Sequence, residues 1–373
     1  MANQSTTRLP ALDAWRGLIM VVMALDHANA LVARGKLEPE MWTTLFPDYM
    51  GGWLAFVTRW VTHLAAPGFF FLMGVGAVLF ARSRAADGWN RPRITGQLAI
   101  RGTLLILLQF LLENPAWAFG DAGPQNRYIG VLFALGGSLI AASLLLSAGR
   151  WWLVAGGTLL LVATELVLPQ ATNGWVEYQP FQLLLLWPGL GESMFSLYPI
   201  LPWLGVTMLG MGFGRWLAQD QDRAQSAMLP LGLSALGGFV VLRLIDGFGN
   251  IVPTQTDDLI GFLNVVKYPP SITFVLMTLG LGFVITWGFW KLQQRRPGSL
   301  RILIIYGVVP LFFYIVHLWL YAVMGQVIDP SGTGLGPAFY ALWLLGLALL
   351  YPACRWYGRF KRSRPIGSLW RFV

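Results

Sequence analysis

Residues 302–323 read ILIIYGVVPLFFYIVHLWLYAV, a run of 22 residues that contains no Asp, Glu, Lys or Arg. An α-helix needs about 20 mostly apolar residues to cross the hydrocarbon core of a bilayer. This segment is therefore long enough and apolar enough to cross a membrane once.

Similar apolar segments recur along the whole chain. They predict ten membrane spans, with boundaries good to a few residues, at 13–33, 57–81, 99–119, 129–148, 151–168, 200–218, 227–246, 270–291, 302–323 and 337–354. The residues outside these spans leave no room for a water-soluble domain of useful size. We therefore predict an all-α, polytopic transmembrane bundle that forms one domain over residues 1–373.

The composition agrees with a membrane protein. Of the 373 residues, 56% are hydrophobic and 12% are charged, and the mean hydropathy is +0.59. A soluble domain has about 25% charged residues, so this chain has too few charges to cover a water-facing surface. The single cysteine, Cys354, excludes an intramolecular disulfide.

The basic residues are divided unequally between the two sides of the ten-span scheme. Twenty Lys and Arg side chains lie on the side of the termini and six on the other. Because basic residues stay on the cytoplasmic side during insertion, both termini are predicted to be cytoplasmic. This split also explains the net charge of +9 without a nucleic-acid partner. We expect an integral protein of a bacterial inner (plasma) membrane.

The first span is not expected to be a cleaved signal peptide. It contains Asp13, Arg16 and Asp26, and no small-residue cleavage site follows a short apolar core. The chain is therefore predicted to keep this segment as a membrane helix.

The three histidines of the chain, His27, His63 and His317, are all predicted to lie in the outer half of their helices. Ionisable groups at membrane depth usually mark a transport pathway or a reaction centre, and histidine accepts protons near neutral pH. Histidines can instead hydrogen-bond neighbouring helices in a purely structural role. The common depth of all three favours a functional site.

Other polar residues are predicted near the same level. Asp26 adjoins His27, and six candidate substrate-binding residues lie at outer helix ends, namely Glu113, Asn114, Arg243, Asp246, Lys267 and Tyr268. For Arg243 and Lys267, anchoring at the membrane interface is at least as good an explanation. Three histidines with an aspartate could ligate zinc, but no tight spacing such as His-x₃-His occurs, so no metal is predicted.

Arg16 lies in LDAWRGL (residues 12–18), at the inner end of the first span. It could anchor the helix, pair with Asp13 or meet an anionic ligand that arrives from the cytoplasm. The long outer loops at 169–199 and 247–269 suggest that a solute meets the opposite face. Together these features predict that the helical bundle is positively charged at its cytoplasmic end and carries the His and Asp residues in the half nearer the outer side.

Five blocks of the sequence carry a family resemblance. They are RLPALDAWRGLIMVVMALDHANAL (8–31), TRWVTHLAAPGFFFLMGVGA (58–77), YPILPWLGVTMLGMGFGRW (198–216), FLNVVKYPPSITFVLMTLG (262–280) and VPLFFYIVHLWL (309–320). With these blocks in family order, the chain resembles the heparan-α-glucosaminide N-acetyltransferase-like family of the transmembrane acyltransferase superfamily.

The resemblance implies that an acetyl group passes through a helical bundle, from cytosolic acetyl-CoA to an amino sugar on the far side, with the help of a histidine. It implies that Arg16 lies near the phosphates of the donor. Asp26, His27, His63 and His317 all fall within the matching blocks. Animal members of the family have their catalytic histidine between the first two spans. This chain has no histidine between 28 and 62, so the resemblance implies that the base, where a histidine serves as one, is His63 or His27.

Our leading hypothesis is a membrane-bound acyltransferase that uses acetyl-CoA as co-substrate and a small-molecule or glycan amine or hydroxyl as acceptor. His63 or His27 would act as general base, oriented by Asp26, and His317 would orient or stabilise. The alternative is a proton-coupled transporter or flippase, which predicts the same intramembrane charges. No internal repeat supports that alternative. The sequence leaves open whether the protein forms a homo-oligomer.

Overall fold

The computed structural model describes residues 9–35, 40–43, 49, 52–122, 127–169, 178–328, 332–365, 368 and 370. These residues are mostly helical, with three short strands, which confirms the all-α class. Within them, seven helical segments are long and apolar enough to cross a membrane: Gly52–Ala86, Arg91–Phe119, Arg150–Val167, Gln221–Ile245, Ile272–Arg295, Pro310–Ile328 and Pro337–Ser363. The protein is therefore a multi-pass membrane protein. The count of ten spans, the cytoplasmic termini and the single domain remain predictions.

The described helices follow the predicted spans in order. The first half of the chain forms α1 (Pro10–Leu31), α2 (Gly52–Trp60), α3 (Ala65–Ala86), α4 (Arg91–Leu108), α5 (Asn114–Phe119), α6 (Val131–Leu144) and α7 (Arg150–Val167). The second half forms α8 (Pro180–Leu185), α9 (Ile200–Gln219), α10 (Gln221–Ile245), α11 (Leu259–Leu263), α12 (Ile272–Arg295), α13 (Arg301–Gly307), α14 (Pro310–Ile328) and α15 (Pro337–Ser363).

Three predicted spans are not continuous α-helices. A 3₁₀ turn at Val61–Leu64 separates α2 from α3, and a π-helical segment at Gln109–Glu113 separates α4 from α5. The span predicted at 302–323 is broken before Pro310, where α14 begins. Proline suits the first turn of a helix because it has no backbone N–H to leave unpaired. π-Helical segments are often found at functional sites.

Helix α1 lies against several other helices, and glycine allows its closest contact. A Cβ atom at Gly17 would lie 1.8 Å from the carbonyl oxygen of Leu303, and one at Gly307 would lie 1.9 Å from the carbonyl oxygen of Asp13. The backbones of α1 and α13 therefore touch, as small residues permit in membrane bundles. This packing brings the His27 end of α1 against α14, where residue 317 lies.

A small sheet that the sequence did not predict lies among the connecting segments. Strands β1 (Arg127–Ile129), β2 (Gly189–Leu190) and β3 (Met194–Ser196) have the order β1-β3-β2, with β1 parallel and β2 antiparallel to β3. Tyr128 pairs with Phe195 in this register. The sheet belongs partly to the predicted outer loop 169–199, of which residues 170–177 lie outside the described residues.

Candidate active site

Two cavities meet at Tyr314 of α14. The first, which we name the outer cavity after the membrane side predicted for it, has a volume of about 400 Å³ and is bordered by His27 and Asp26. The second, the inner cavity, has a volume of about 280 Å³ and is bordered by Arg16. Tyr314 lines both cavities and is the one described residue that they share.

His27 and His317 form a direct pair beside the outer cavity. The Nδ1 atom of His27 lies 2.7 Å from Nε2 of His317, and their rings are stacked with an interplanar angle of 13°. The Nδ1 atom of His317 lies 2.9 Å from the carbonyl oxygen of Phe313. Of the three histidines that the sequence analysis singled out, the structure thus brings His27 and His317 together.

The hydrogen bonds assign the proton positions on this pair. A carbonyl oxygen only accepts, so Nδ1 of His317 donates to Phe313, and Nε2 of a neutral His317 is an acceptor. Nδ1 of His27 must then donate to that Nε2 atom. The consequence is that Nε2 of His27 keeps its lone pair, as a general base requires.

Aromatic side chains surround the His27 ring. Trp117 and Tyr314 both lie edge-on to it, with ring centroids 5.1 and 6.0 Å away. The hydroxyl groups of Tyr198 and Tyr268 lie 3.1 Å apart and belong to the same cavity wall. The outer cavity therefore combines one imidazole with flat rings and phenolic hydroxyls.

A buried ionic network joins Asp26 to His63 through two residues that the sequence analysis missed. Arg59 donates to Asp26 at 2.5 Å and makes two hydrogen bonds to Glu40, at 2.6 and 2.7 Å. Nε2 of His63 lies 3.2 Å from Oε1 of Glu40. Arg59 could have been found because it lies four residues before His63, on the same helical face. Nothing in the sequence around Glu40 indicates its role.

The network keeps Glu40 ionised. Burial by itself raises the pKa of a carboxyl group, but the Arg59 guanidinium and the nearby His63 outweigh it and hold the pKa of Glu40 well below its ordinary value. Glu40 is thereby held against Arg59 of α2 by charge. Arg59 in turn holds the carboxylate of Asp26 beside His27.

His63 and His27 differ in their access to the outer cavity. The His63 side chain is 1% exposed, faces the ring of Phe274 and does not line the outer cavity among the described residues. His27 does line that cavity. Of the two bases that the sequence left open, the geometry favours His27.

The two predicted residues at the end of the third span have different positions. Glu113 ends the π-helical segment and lines the outer cavity. Asn114 accepts a hydrogen bond from Gln109 at 2.7 Å and donates to the backbone oxygen of Tyr128 at 3.0 Å. Asn114 therefore holds strand β1 in place, and Glu113 is the one that faces the cavity.

Lys267 and Tyr268 lie close to the network. The backbone N–H of Lys267 donates to the carbonyl oxygen of Glu40 at 3.0 Å, and its buried ammonium lies 5.0 Å from the Tyr268 ring. Lys267 is near enough to act electrostatically on Asp26 and His27. Tyr268 lines the outer cavity, so both residues are near the site that the sequence predicted.

Arg243 and Asp246 are not brought to either cavity. Arg243 is buried and donates to the backbone oxygens of Gly261 and Phe262 at 2.7 and 2.9 Å. Asp246 accepts two hydrogen bonds from Thr254. Both residues therefore contact the segment that follows α10.

The inner cavity is apolar except for two arginines and Tyr314. Its walls come mainly from α3, α4 and α6, and the basic residues are Arg16 and Arg101. Arg16 donates to Asp13 at 3.1 Å and to the carbonyl oxygen of Gly307 at 3.2 Å. Arg101 is a basic side chain within an apolar helix, a signal from which its role could have been predicted.

No metal centre is found at the site. Among the residues that the structure describes, no three His, Cys, Asp or Glu side chains are grouped so that they could hold a metal ion.

Two comparisons relate the chain to known proteins. Residues 8–238 match the family described as "Heparan-alpha-glucosaminide N-acetyltransferase, catalytic". The heparan-alpha-glucosaminide N-acetyltransferase of Mus musculus is 25% identical over 183 residues, which cover 47% of this chain and 24% of the mouse protein. The alignment thus spans about a quarter of the length of that relative. The family match includes Arg16, Asp26, His27 and Glu113.

Proposed function

The chain belongs to the heparan-alpha-glucosaminide N-acetyltransferase catalytic family, and on this premise we propose that it moves an acetyl group from cytosolic acetyl-CoA to an extracytoplasmic acceptor. The acceptor would be the amine or hydroxyl of a sugar. The observation that carries this proposal is the pair of cavities that meet at Tyr314, with His27 on one and Arg16 on the other.

The inner cavity fits the chemistry of the donor. Two guanidinium groups, on Arg16 and Arg101, suit the phosphates of acetyl-CoA because arginine forms charge-assisted hydrogen bonds to phosphate oxygens. The apolar walls suit the pantetheine arm, which would direct the thioester toward Tyr314. Acetyl-CoA is a substrate in this scheme.

His27 would act as the general base in the outer cavity. Its Nε2 atom takes the proton from the acceptor nitrogen or oxygen as that atom attacks the carbonyl carbon of the acetyl group. The carbon–sulfur bond breaks, and the CoA thiolate leaves toward the cytosol and takes a proton from water. Proton transfer to a positioned histidine contributes about 10²–10⁴ in rate, and holding the two substrates on either side of Tyr314 contributes through proximity.

The neighbours of His27 would support this step. Once Nε2 carries the proton, the carboxylate of Asp26 stabilises the resulting imidazolium, and His317 holds the ring through its hydrogen bond to Nδ1. Arg59 keeps the Asp26 carboxylate in place at 2.5 Å. Glu113 and Tyr268, which line the outer cavity, are proposed to bind the acceptor.

His63 is assigned a structural part in this scheme. Its only charged neighbour within ion-pair distance among the described residues is Glu40. It would stabilise the ionic network and make no contact with the acceptor.

The test is acetyl transfer by purified protein in proteoliposomes. Labelled acetyl-CoA is supplied on one side and a panel of amino sugars and neutral glycans on the other, and labelled acceptor is measured. The proposal predicts acetyl-CoA-dependent labelling that crosses the membrane. If the protein moves an unmodified solute and binds no acetyl-CoA, the transporter hypothesis replaces it.

A further inference from the structure

A third cavity, which plays no part in the proposed transfer, lies at the end of the bundle that is predicted to be cytoplasmic. It has a volume of about 390 Å³ and lies between α3, the start of α4, the connection from α6 to α7 and the end of α9. The polar and aromatic residues that matter are Arg82, Trp89, Arg91, Ser147 and Arg215. We name it the basic cavity.

The lining of the basic cavity is strongly positive. It contains three arginines, and no Asp or Glu lines it among the described residues. The nearest carboxylates in sequence are already engaged, since Asp87 pairs with Arg84 at 2.9 Å and Asp220 caps α10 by accepting from the Arg223 N–H. The positive charge is therefore not balanced from within this part of the chain.

The three guanidinium groups keep donors available. Arg91 donates to the hydroxyl of Ser147 at 2.7 Å, and Arg215 donates to the carbonyl oxygen of Leu146. The buried Nε atom of Arg215 has no hydrogen-bond partner among the described residues. Arg82 has neither a hydrogen bond nor an ion pair within the described part of the chain. Arg82 and Arg91 are exposed, so the buried N–H without a partner is that of Arg215, and a bound anion would recover the free energy that this N–H costs.

An indole ring forms one wall of the cavity. Trp89 lines it and carries the guanidinium of Arg93 at 4.0 Å from its ring centroid. Arginines beside an aromatic surface suit a ligand with a phosphate group and an adjoining apolar or flat part. A small inorganic anion would leave the indole and the apolar walls without a contact.

The basic cavity is separate from the inner cavity. Ala77, Leu98 and Leu139 line the inner cavity and pack together as an apolar cluster. Val78 and Ile94, on the same two helices α3 and α4, line the basic cavity. A ligand in one cavity would therefore not fill the other.

From these observations we propose that the basic cavity binds a phosphate ester, held by Arg82, Arg91 and Arg215 against Trp89. Two sources share this chemistry at a cytoplasmic membrane surface. One is the headgroup of an anionic phospholipid, and the other is a soluble nucleotide such as CoA. The proposal does not depend on the acetyltransferase activity.

The experiment measures binding by the full-length protein in two arms. In the first, nanodiscs contain phosphatidylglycerol and phosphatidylcholine, and native mass spectrometry counts the phospholipids retained. In the second, CoA is titrated in phosphatidylcholine nanodiscs, with Arg16→Gln and Arg101→Gln added to every protein compared in this arm so that CoA bound in the inner cavity does not mask the basic cavity. Wild type is compared with Arg82→Gln and with the double variant Arg82→Gln/Arg215→Gln. Arg295→Gln, an exposed arginine at the end of α12, is the matched control.

We expect Arg82→Gln to weaken binding in one arm by about tenfold, as the loss of one charge-assisted hydrogen bond predicts, and the double variant to weaken it further. A loss in the phosphatidylglycerol arm identifies a lipid site, and a loss in the CoA arm identifies a nucleotide site. Arg82→Gln keeps the Arg215–Leu146 hydrogen bond and should fold. Binding by Arg82→Gln equal to that of Arg295→Gln in both arms would overturn the proposal.

Discussion

Nδ1 of His27 lies 2.7 Å from Nε2 of His317, so a hydrogen bond joins α1 to α14. Both helices contribute residues to the wall of the outer cavity. The bond fixes which nitrogen of His27 keeps a lone pair. It also links two blocks of sequence that are 290 residues apart.

Replacing His317 should impair catalysis through His27. In His317→Leu the Nδ1 proton of His27 loses its acceptor, so the tautomer and the ring position of His27 are no longer fixed. We therefore expect kcat to fall about 10–100-fold, with little change in the KM for acetyl-CoA or for the acceptor. His317→Gln offers an amide oxygen in nearly the same place and should recover much of kcat. Steady-state kinetics on the two folded variants checks this, and equal losses in both would count against a positioning role.

Neutralising the arginines of the inner cavity should weaken donor binding selectively. Arg16→Gln and Arg101→Gln each remove a charge-assisted hydrogen bond to phosphate, so KM for acetyl-CoA should rise about tenfold while KM for the acceptor stays the same. Initial rates at varied acetyl-CoA concentration provide the measurement, with Arg295→Gln as the charge-matched control. A rise in acceptor KM instead would place the donor elsewhere.

The ring of Tyr314 should separate the acetyl donor from water. Tyr314→Ala would join the two cavities, and acetyl-CoA should then be hydrolysed several-fold faster without any acceptor because water reaches the thioester. Tyr314→Phe keeps the ring and should hydrolyse acetyl-CoA at the wild-type rate. Free CoA released in the absence of acceptor can be followed with a thiol reagent. If Tyr314→Ala shows no added hydrolysis, Tyr314 is not the barrier.

Glu40 should stabilise the fold in a pH-dependent way. Glu40→Gln removes one partner of the buried pair with Arg59 and should cost about 3 kcal/mol in the free energy of unfolding. The folded-state pKa of Glu40 lies below its ordinary value of 4.5. The stabilisation is therefore present above about pH 4.5 and is lost as the pH falls toward the lowered pKa.

The difference in thermal midpoint between wild type and Glu40→Gln in detergent tests this dependence. It should be largest near neutral pH and should shrink below pH 4.5. Glu192→Gln, which changes an exposed carboxylate, should leave the midpoint unchanged at every pH. A difference that grows with acidification would have the wrong sign for a paired carboxylate.

The fold could be predicted where the apolar pattern alone determines it. Long apolar segments predicted the helices correctly, because the bilayer requires that every backbone group be satisfied within the segment. The breaks in the helices before Pro310 and at Gln109–Glu113 were not predicted, because the apolar pattern of the sequence continues through both positions. The three short strands carry too few residues for any periodicity.

The site was predictable only in part, because the sequence shows how deep a residue lies along its helix but not which side of the helix faces a cavity. Depth along a helix can be counted from the sequence, so His27 and His317 were expected at one level, and the structure pairs them. Which side of a helix faces a cavity depends on the neighbouring helices, so His63 and His27 could not be told apart. Arg243 resembles a site residue in sequence, but it donates to the side chain of Asn250 and to backbone oxygens in the segment 261–264, and the sequence does not reveal these contacts.

The most direct test compares His27→Ala with His63→Ala in acetyl transfer by folded, monodisperse protein, with the pH dependence of kcat/KM recorded for each. We expect His27→Ala to lose about 10²–10⁴ in kcat. His63→Ala should keep the wild-type pH profile, even if its thermal midpoint falls. Transfer that survives in His27→Ala but disappears in folded His63→Ala would contradict the assignment of His27 as the base.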